Sequence, residues 1–321
     1  MNTILFGNGF NLLNESKSWD SLVRVIDDSS DEYKIPNTLQ YEGKVLSEPF
    51  ETKAFLRSND GYILRTSDHK LLTTHERSEV LIKQQIVNTM KEYLSNDLFN
   101  ELLSLDVEHF ITTNYDYVAD KALQDMSYSE DRSERDKSES MFSIHRKKCY
   151  SKNLQNKYLW KIHGELSNIR SIMLGYYHYC SYIGQIKKYI SGEYEFAKRK
   201  DNGPIQPIEN RLPINSNDIF SWIDLFFMSN IYIIGLGLNY DEIDLWWLLT
   251  IRKRLKQKLE VGNINNQIVY YGDAGPGKKE IFEHLDVEVV TSKKSKHDNK
   301  YREYIDDIKR RIEKQSVRQG K

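Results

Sequence analysis

Thr3-Ile4-Leu5-Phe6-Gly7-Asn8-Gly9-Phe10-Asn11 decides how the rest of the chain is read. A short strand-like run ends abruptly on two glycines, and residues without a Cβ let a backbone turn sharply and approach a ligand closely. Taken alone, Gly-Asn-Gly more often makes only a tight turn, with Asn8 and Asn11 closing it as Asx turns. Three later segments repeat the arrangement, each behind strand-like residues: Thr112-Thr113-Asn114-Tyr115-Asp116, Lys161-Ile162-His163-Gly164 and Gly235-Leu236-Gly237-Leu238. Open α/β sheets bind ligands beyond the carboxyl ends of their strands, so the recurrence points to one shared crevice.

Strands are expected over 3–6, 109–112, 158–162, 231–234, 267–271 and 287–290. Helices are expected over 19–26, from about His75, from near Asp116, over 241–259 and over 301–313. Val80, Gln84, Val87, Met90 and Leu94 carry the helical period of the second. Such alternation implies a mainly parallel sheet, because parallel crossovers need helices. Residues 29–68 are irregular, and 198–217 carry Pro204, Pro207 and Pro213. Residues 127–140 mix charge and serine with almost nothing apolar, which reads as a mobile surface insertion.

With 46 basic and 47 acidic residues the chain has no global field drawing it to nucleic acid or an anionic membrane. Direct nucleic-acid binding is not expected. No run approaches the ~18 apolar residues of a membrane span, and the N-terminal apolar run is too short for a secretory leader. Cys149 and Cys180 are too few for a disulfide framework, which fits a reducing cytoplasm.

Each loop carries its own chemistry. Amides after Gly7 and Gly9, and again after Gly235 and Gly237, can face phosphates. Asn114 can orient a water or a ribose through its amide, and Asp116 can accept from a carboxamide or hydroxyl. Thr113 or Asn114 as a helix N-cap, with Asp116 in the first turn, is the plainer alternative. His163 can exchange a proton near neutral pH, although an isolated His-Gly is usually a turn. No second ligand stands at a familiar spacing from it, so no metal is expected.

The ordered set resembles the sirtuin-like (SIR2) superfamily, and within it the SIR2-like domains of bacterial anti-phage proteins. The opening Phe-Gly-Asn-Gly-Phe-Asn is also similar to the abortive-infection AbiH group. The resemblance implies an α/β, Rossmann-like, mainly parallel sheet with helices on both faces. That domain would span 1–295, with irregular or helical insertions near 29–74, 127–157 and 176–217, followed by a charged helix and tail over 296–321. It implies that Gly7, Asn8, Gly9, Asn11 and Thr113 bind NAD+, and that Asn114 and Asp116 contact the nicotinamide ribose end. It further implies that His163 is the base and that Gly235, Gly237 and Leu238 line the other ribose. Protein-deacylating sirtuins carry a four-cysteine zinc module between the His-Gly and late glycine loops, where this chain has Cys180 alone. The implied activity is therefore NAD+ glycohydrolysis, in anti-phage abortive infection. An NAD+ or ADP-ribose sensor without turnover is the alternative, with protein deacylation or ADP-ribosyl transfer behind it. A homo-oligomer, or a complex with a HerA-type ATPase or a nucleotide-processing sensor protein, is the expected assembly.

Overall fold

The computed structural model describes residues 1–14, 64–65, 71–72, 80, 83–84, 86–90, 94–134, 141–174, 176–195, 205–212, 219–240, 242–259, 264–294 and 296–319. Eight strands form one sheet: β1 (Asn2–Phe6), β2 (His109–Thr112), β3 (Ser129–Asp131), β4 (Lys147–Lys152), β5 (Gln155–Lys161), β6 (Asn230–Ile234), β7 (Ile268–Tyr271) and β8 (Val287–Val290). Their order is β8-β7-β6-β1-β2-β5-β4-β3, and the six from β8 to β5 run parallel. Counted along the chain, those six have the doubly wound order in which two halves diverge from the first strand. The reversal falls between β1 and β6, where Phe6 pairs with Ile234 on one side and Thr112 on the other.

The strands are apolar on both faces because both faces are covered. Leu5, Ile111, Trp160, Ile233 and Tyr270 enter one core with α3 (Tyr176–Ser191), α4 (Ile208–Arg211), α5 (Trp222–Met228), α6 (Ile243–Lys258) and α7 (Pro276–His284). Ile4, Phe6, Phe110, Leu159 and Ile234, one step along each strand, enter the other with α1 (Asp97–Ser104), α2 (Val118–Asp125) and α8 (His297–Gln319). Local chemistry sets several boundaries. Asn96 caps α1 by accepting from Phe99 N at 2.8 Å, and Ser221 with Asp224 forms a capping box at α5. His109 lies in the core: burial, with Lys147 beside it, pulls its pKa down to about 4.

Four expectations change. Ser129–Asp131, read as part of a mobile insertion, is the edge strand β3, antiparallel to β4. β4 and β5 form a hairpin the sequence reading does not contain, turning on Asn153 and Leu154, both at positive φ (49° and 64°). Leu94 lies outside the described helical residues 80, 83–84 and 86–90 and is 68% exposed, while Ile86, Val87 and Met90 pack on Tyr115, Leu166, Ile172 and Leu174. The helix expected over 19–26 and the region 29–68 fall outside the described residues, apart from a two-residue antiparallel pair, Leu64–Arg65 with Leu71–Leu72. The final helix is longer than expected, and Tyr304, Ile305, Ile308 and Ile312 bind it to the same core as β1.

Candidate active site

Four loops leave the carboxyl ends of neighbouring parallel strands at one level, since Phe6, Thr112, Lys161 and Ile234 are in register through β1, β2, β5 and β6. The first and last touch directly. Gly9 N donates to Gly235 O at 2.7 Å, and a Cβ on Gly9 would strike Tyr301 Oη and stand 2.8 Å from Gly235 Cα. The glycine is needed there for loop-to-loop approach at the switch point, whatever else it serves. At Gly235 the backbone is left-handed (φ 65°) beside the Phe10 ring.

Asn11 joins the first loop to the second. Its Nδ2 donates to Asn8 Oδ1 at 2.9 Å and to Asp116 Oδ2 at 2.8 Å. The other Asp116 oxygen accepts from Val118 N at 2.9 Å, so this carboxylate both receives the first amide of α2 and braces the glycine loop. Burial pushes its pKa up, against the pull of Lys161, Val118 N and Asn11. Asn114 is buried, with its backbone N on Thr112 Oγ1 at 3.1 Å, while Thr113 is half-buried. Next to this loop, Asp120 receives Lys148 Nζ at 2.8 Å, Lys161 Nζ at 3.0 Å and Tyr150 Oη at 2.6 Å.

The second and third loops are stitched by Leu166 N to Tyr115 O at 3.2 Å and Tyr115 Oη to Met173 O at 2.5 Å. Gly164 has φ 111° and lies against Ser171 and Ile172, which only a residue without Cβ tolerates. His163, just before it, is buried, and its Nε2 stands 2.9 Å from Asp244 Oδ2 in the first turn of α6. Tyr179 and Tyr182 meet the imidazole edge-on, with centroids at 5.3 and 6.5 Å. In the fourth loop Gly237 is exposed, and its carbonyl accepts from Lys278 Nζ and from Tyr270 Oη at 3.3 Å. Leu238 is left-handed (φ 47°) with its side chain wholly in the core, so its backbone is what it can offer a ligand.

Three buried polar atoms around these loops have no partner among the described residues: Asn11 Oδ1, Asn114 Nδ2 and Asp244 Oδ1. Buried polar groups are nearly always satisfied, and exceptions call for an explanation such as an absent ligand. Donors and acceptors of this kind suit the hydroxyls and amide of a nucleotide. Residues 108–247 match the family model of the SIR2-like domain. The SIR2-like match runs from β2 into α6, and so contains Asn114, Asp116, His163, Gly235, Gly237, Leu238 and Asp244. SIR2-like domains bind NAD+, and the match fits an NAD-related function. No curated protein matches the chain.

Asp244 and Lys278 are among the polar residues at these loops that sequence reading missed. Asp244 carries only the signal of an acid in a helix's first turn, which the helix dipole explains without any site. Lys278 follows Pro276-Gly277 in a segment read as loop. No helix among the described residues is long and apolar enough to cross a membrane. Among the same residues no three His, Cys, Asp or Glu side chains are grouped to hold a metal ion.

Proposed function

We propose that the chain is an NAD+ glycohydrolase, releasing nicotinamide and ADP-ribose. The observation that carries this reading is Asn114 Nδ2, without a partner among the described residues and buried on the loop next to the one that carries His163 and stitched to it. The bond from nicotinamide nitrogen to C1′ of the ribose breaks, its electron pair leaving with neutral nicotinamide. The ribose acquires oxocarbenium character, as in glycoside cleavage. Asn114 holds the ribose hydroxyls or the attacking water, and His163 takes the water's proton as the new oxygen–C1′ bond forms. Asp116, with both oxygens engaged, serves by fixing the glycine loop through Asn11. Gly7, Asn8, Gly9 and Thr113 border the pyrophosphate side, and Gly235, Gly237 and the Leu238 backbone the far ribose. Positioning of this kind, with one proton transfer worth about 10²- to 10⁴-fold, accounts for the chemistry.

Chromatography of NAD+ incubated with the purified full chain tests the reading. Nicotinamide and ADP-ribose should accumulate in equal amounts, and Asn114→Ala or His163→Ala should slow release about 10²- to 10⁴-fold. Full activity in both variants would sink it, and nucleotide binding without product would leave the sensor reading in its place. A glycohydrolase of this kind endangers its own cell unless restrained, which supports activation on infection through self-assembly or a partner such as a HerA-type ATPase or a nucleotide-processing sensor protein. Light scattering of the chain alone and with candidate partners measures this.

A further inference from the structure

We propose that Asp244 is the positioning residue for His163, holding the imidazole with its proton on Nε2 so that Nδ1 is the atom that accepts a proton. This deepens the glycohydrolase reading and rests on it for its catalytic part. The pair is built from distant chain: His163 follows β5, and Asp244 opens α6 beyond β6, on the other side of β1 and β2 in the sheet. An ionised carboxylate only accepts hydrogen bonds, so the Nε2 facing it at 2.9 Å carries hydrogen. In the neutral ring Nδ1 is then the lone-pair nitrogen, and it makes no hydrogen bond among the described residues.

A helix-dipole role does not explain this carboxylate. First-turn acids that serve the dipole work well while exposed, whereas Asp244 is 0% exposed and its Oδ1 has no partner among the described residues. Burying such a group is costly unless a hydrogen-bond donor answers it, and among the described residues His163 Nε2–H is the donor that does so. The edges of Tyr179 and Tyr182 confine the ring, so the carboxylate sets which nitrogen faces it. Carboxylate, imidazole and a reacting group in series is how a base is kept in one tautomer.

The test uses the full chain with nitrogen-15 in its histidines, His163 being assigned by the signal lost in His163→Ala. Without nucleotide, the two-bond proton–nitrogen spectrum should show His163 protonated on Nε2 and bare on Nδ1. Asp244→Asn should abolish that preference, lower kcat about 10²- to 10⁴-fold with KM little changed, and add nothing to the loss caused by His163→Ala. An imidazolium pattern at neutral pH, an unaltered tautomer in Asp244→Asn, or additive losses would overturn the proposal. Should Asp244→Asn fail to fold, Asp244→Glu, which keeps the charge, should preserve the Nε2 tautomer; a Glu variant bearing the other tautomer also overturns it. If the wild-type chain releases no nicotinamide, the glycohydrolase reading fails by itself, while the spectra still decide whether Asp244 positions the ring.

Discussion

Gly9 shows why the glycine loop is better understood through its neighbours than through its motif. A turn alone would tolerate alanine, whereas here a Cβ meets Tyr301 Oη and Gly235 Cα together. Gly9→Ala should therefore lower unfolding free energy by about 1–3 kcal/mol, the usual cost of overpacking. Tyr301→Phe should recover only part of the loss, because the Gly235 backbone still stands in the way; denaturant melts of the three variants measure it. The same scale separates what was legible in the site. Asn114, Asp116 and His163 stand out in sequence because their loops belong to an ordered set of four behind strand-like runs, and all three lie at one end of the sheet. Asp244 was illegible because an acid opening a helix is ordinary, and its burial against an imidazole 81 residues away is a fact of packing alone.

Elements at the far edge of the sheet behave differently. The hairpin joining β4 and β5 has two central residues with positive φ, the form whose twist matches paired strands, yet it uses Asn153-Leu154 rather than Asn-Gly. A leucine in the left-handed region carries a steric cost, and Leu154 is fully exposed, so its side chain offers no packing in return. Leu154→Gly should raise stability by about 1 kcal/mol in thermal or urea unfolding. This turn also explains why the hairpin was missed: the sequence signal depends on the glycine that is absent.

Nearby, Asp120 ties α2 to β4 and β5. Burial opposes its charge, but Lys161 and Lys148, with hydrogen bonds from Lys148 and Tyr150, hold its pKa down at about 2. A depressed carboxylate stabilises the fold above its unfolded pKa near 3.8, and that contribution is lost as pH falls toward 2. At pH 7 Asp120→Asn should cost about 3–5 kcal/mol, because the buried Lys161 ammonium loses its ion-pair partner and Lys148 keeps only Glu165, 3.4 Å away. Stability measured from pH 7 to pH 3 should show the gap between the two proteins narrowing below pH 4. A gap constant over that range would mean that Asp120 is not held as a carboxylate.

Across the whole molecule, the sheet order turns four separate loops into one rim, and two residues from one loop bind two others directly. A ligand that meets the rim atoms left without a partner among the described residues must stabilise the native state. ADP-ribose at a hundredfold excess over its Kd should add about 2.7 kcal/mol to unfolding free energy, and much less in Asn114→Ala at the same concentration. Scanning calorimetry measures both, and an unchanged wild-type melting temperature at saturating nucleotide would remove the case for a shared rim. The amino-acid sequence by itself determined the six parallel strands to within three residues, the crossover helices α2 and α6, and the loops that carry Asn114 and His163. Periodicity and the chemistry of strand ends are local, and they survive without knowledge of neighbours. Only the tertiary structure decided the antiparallel edge, the seat of the last helix on the core of β1, and the pairing of His163 with Asp244. Each depends on surfaces brought together from distant chain, where burial and register, not residue type, choose the partner.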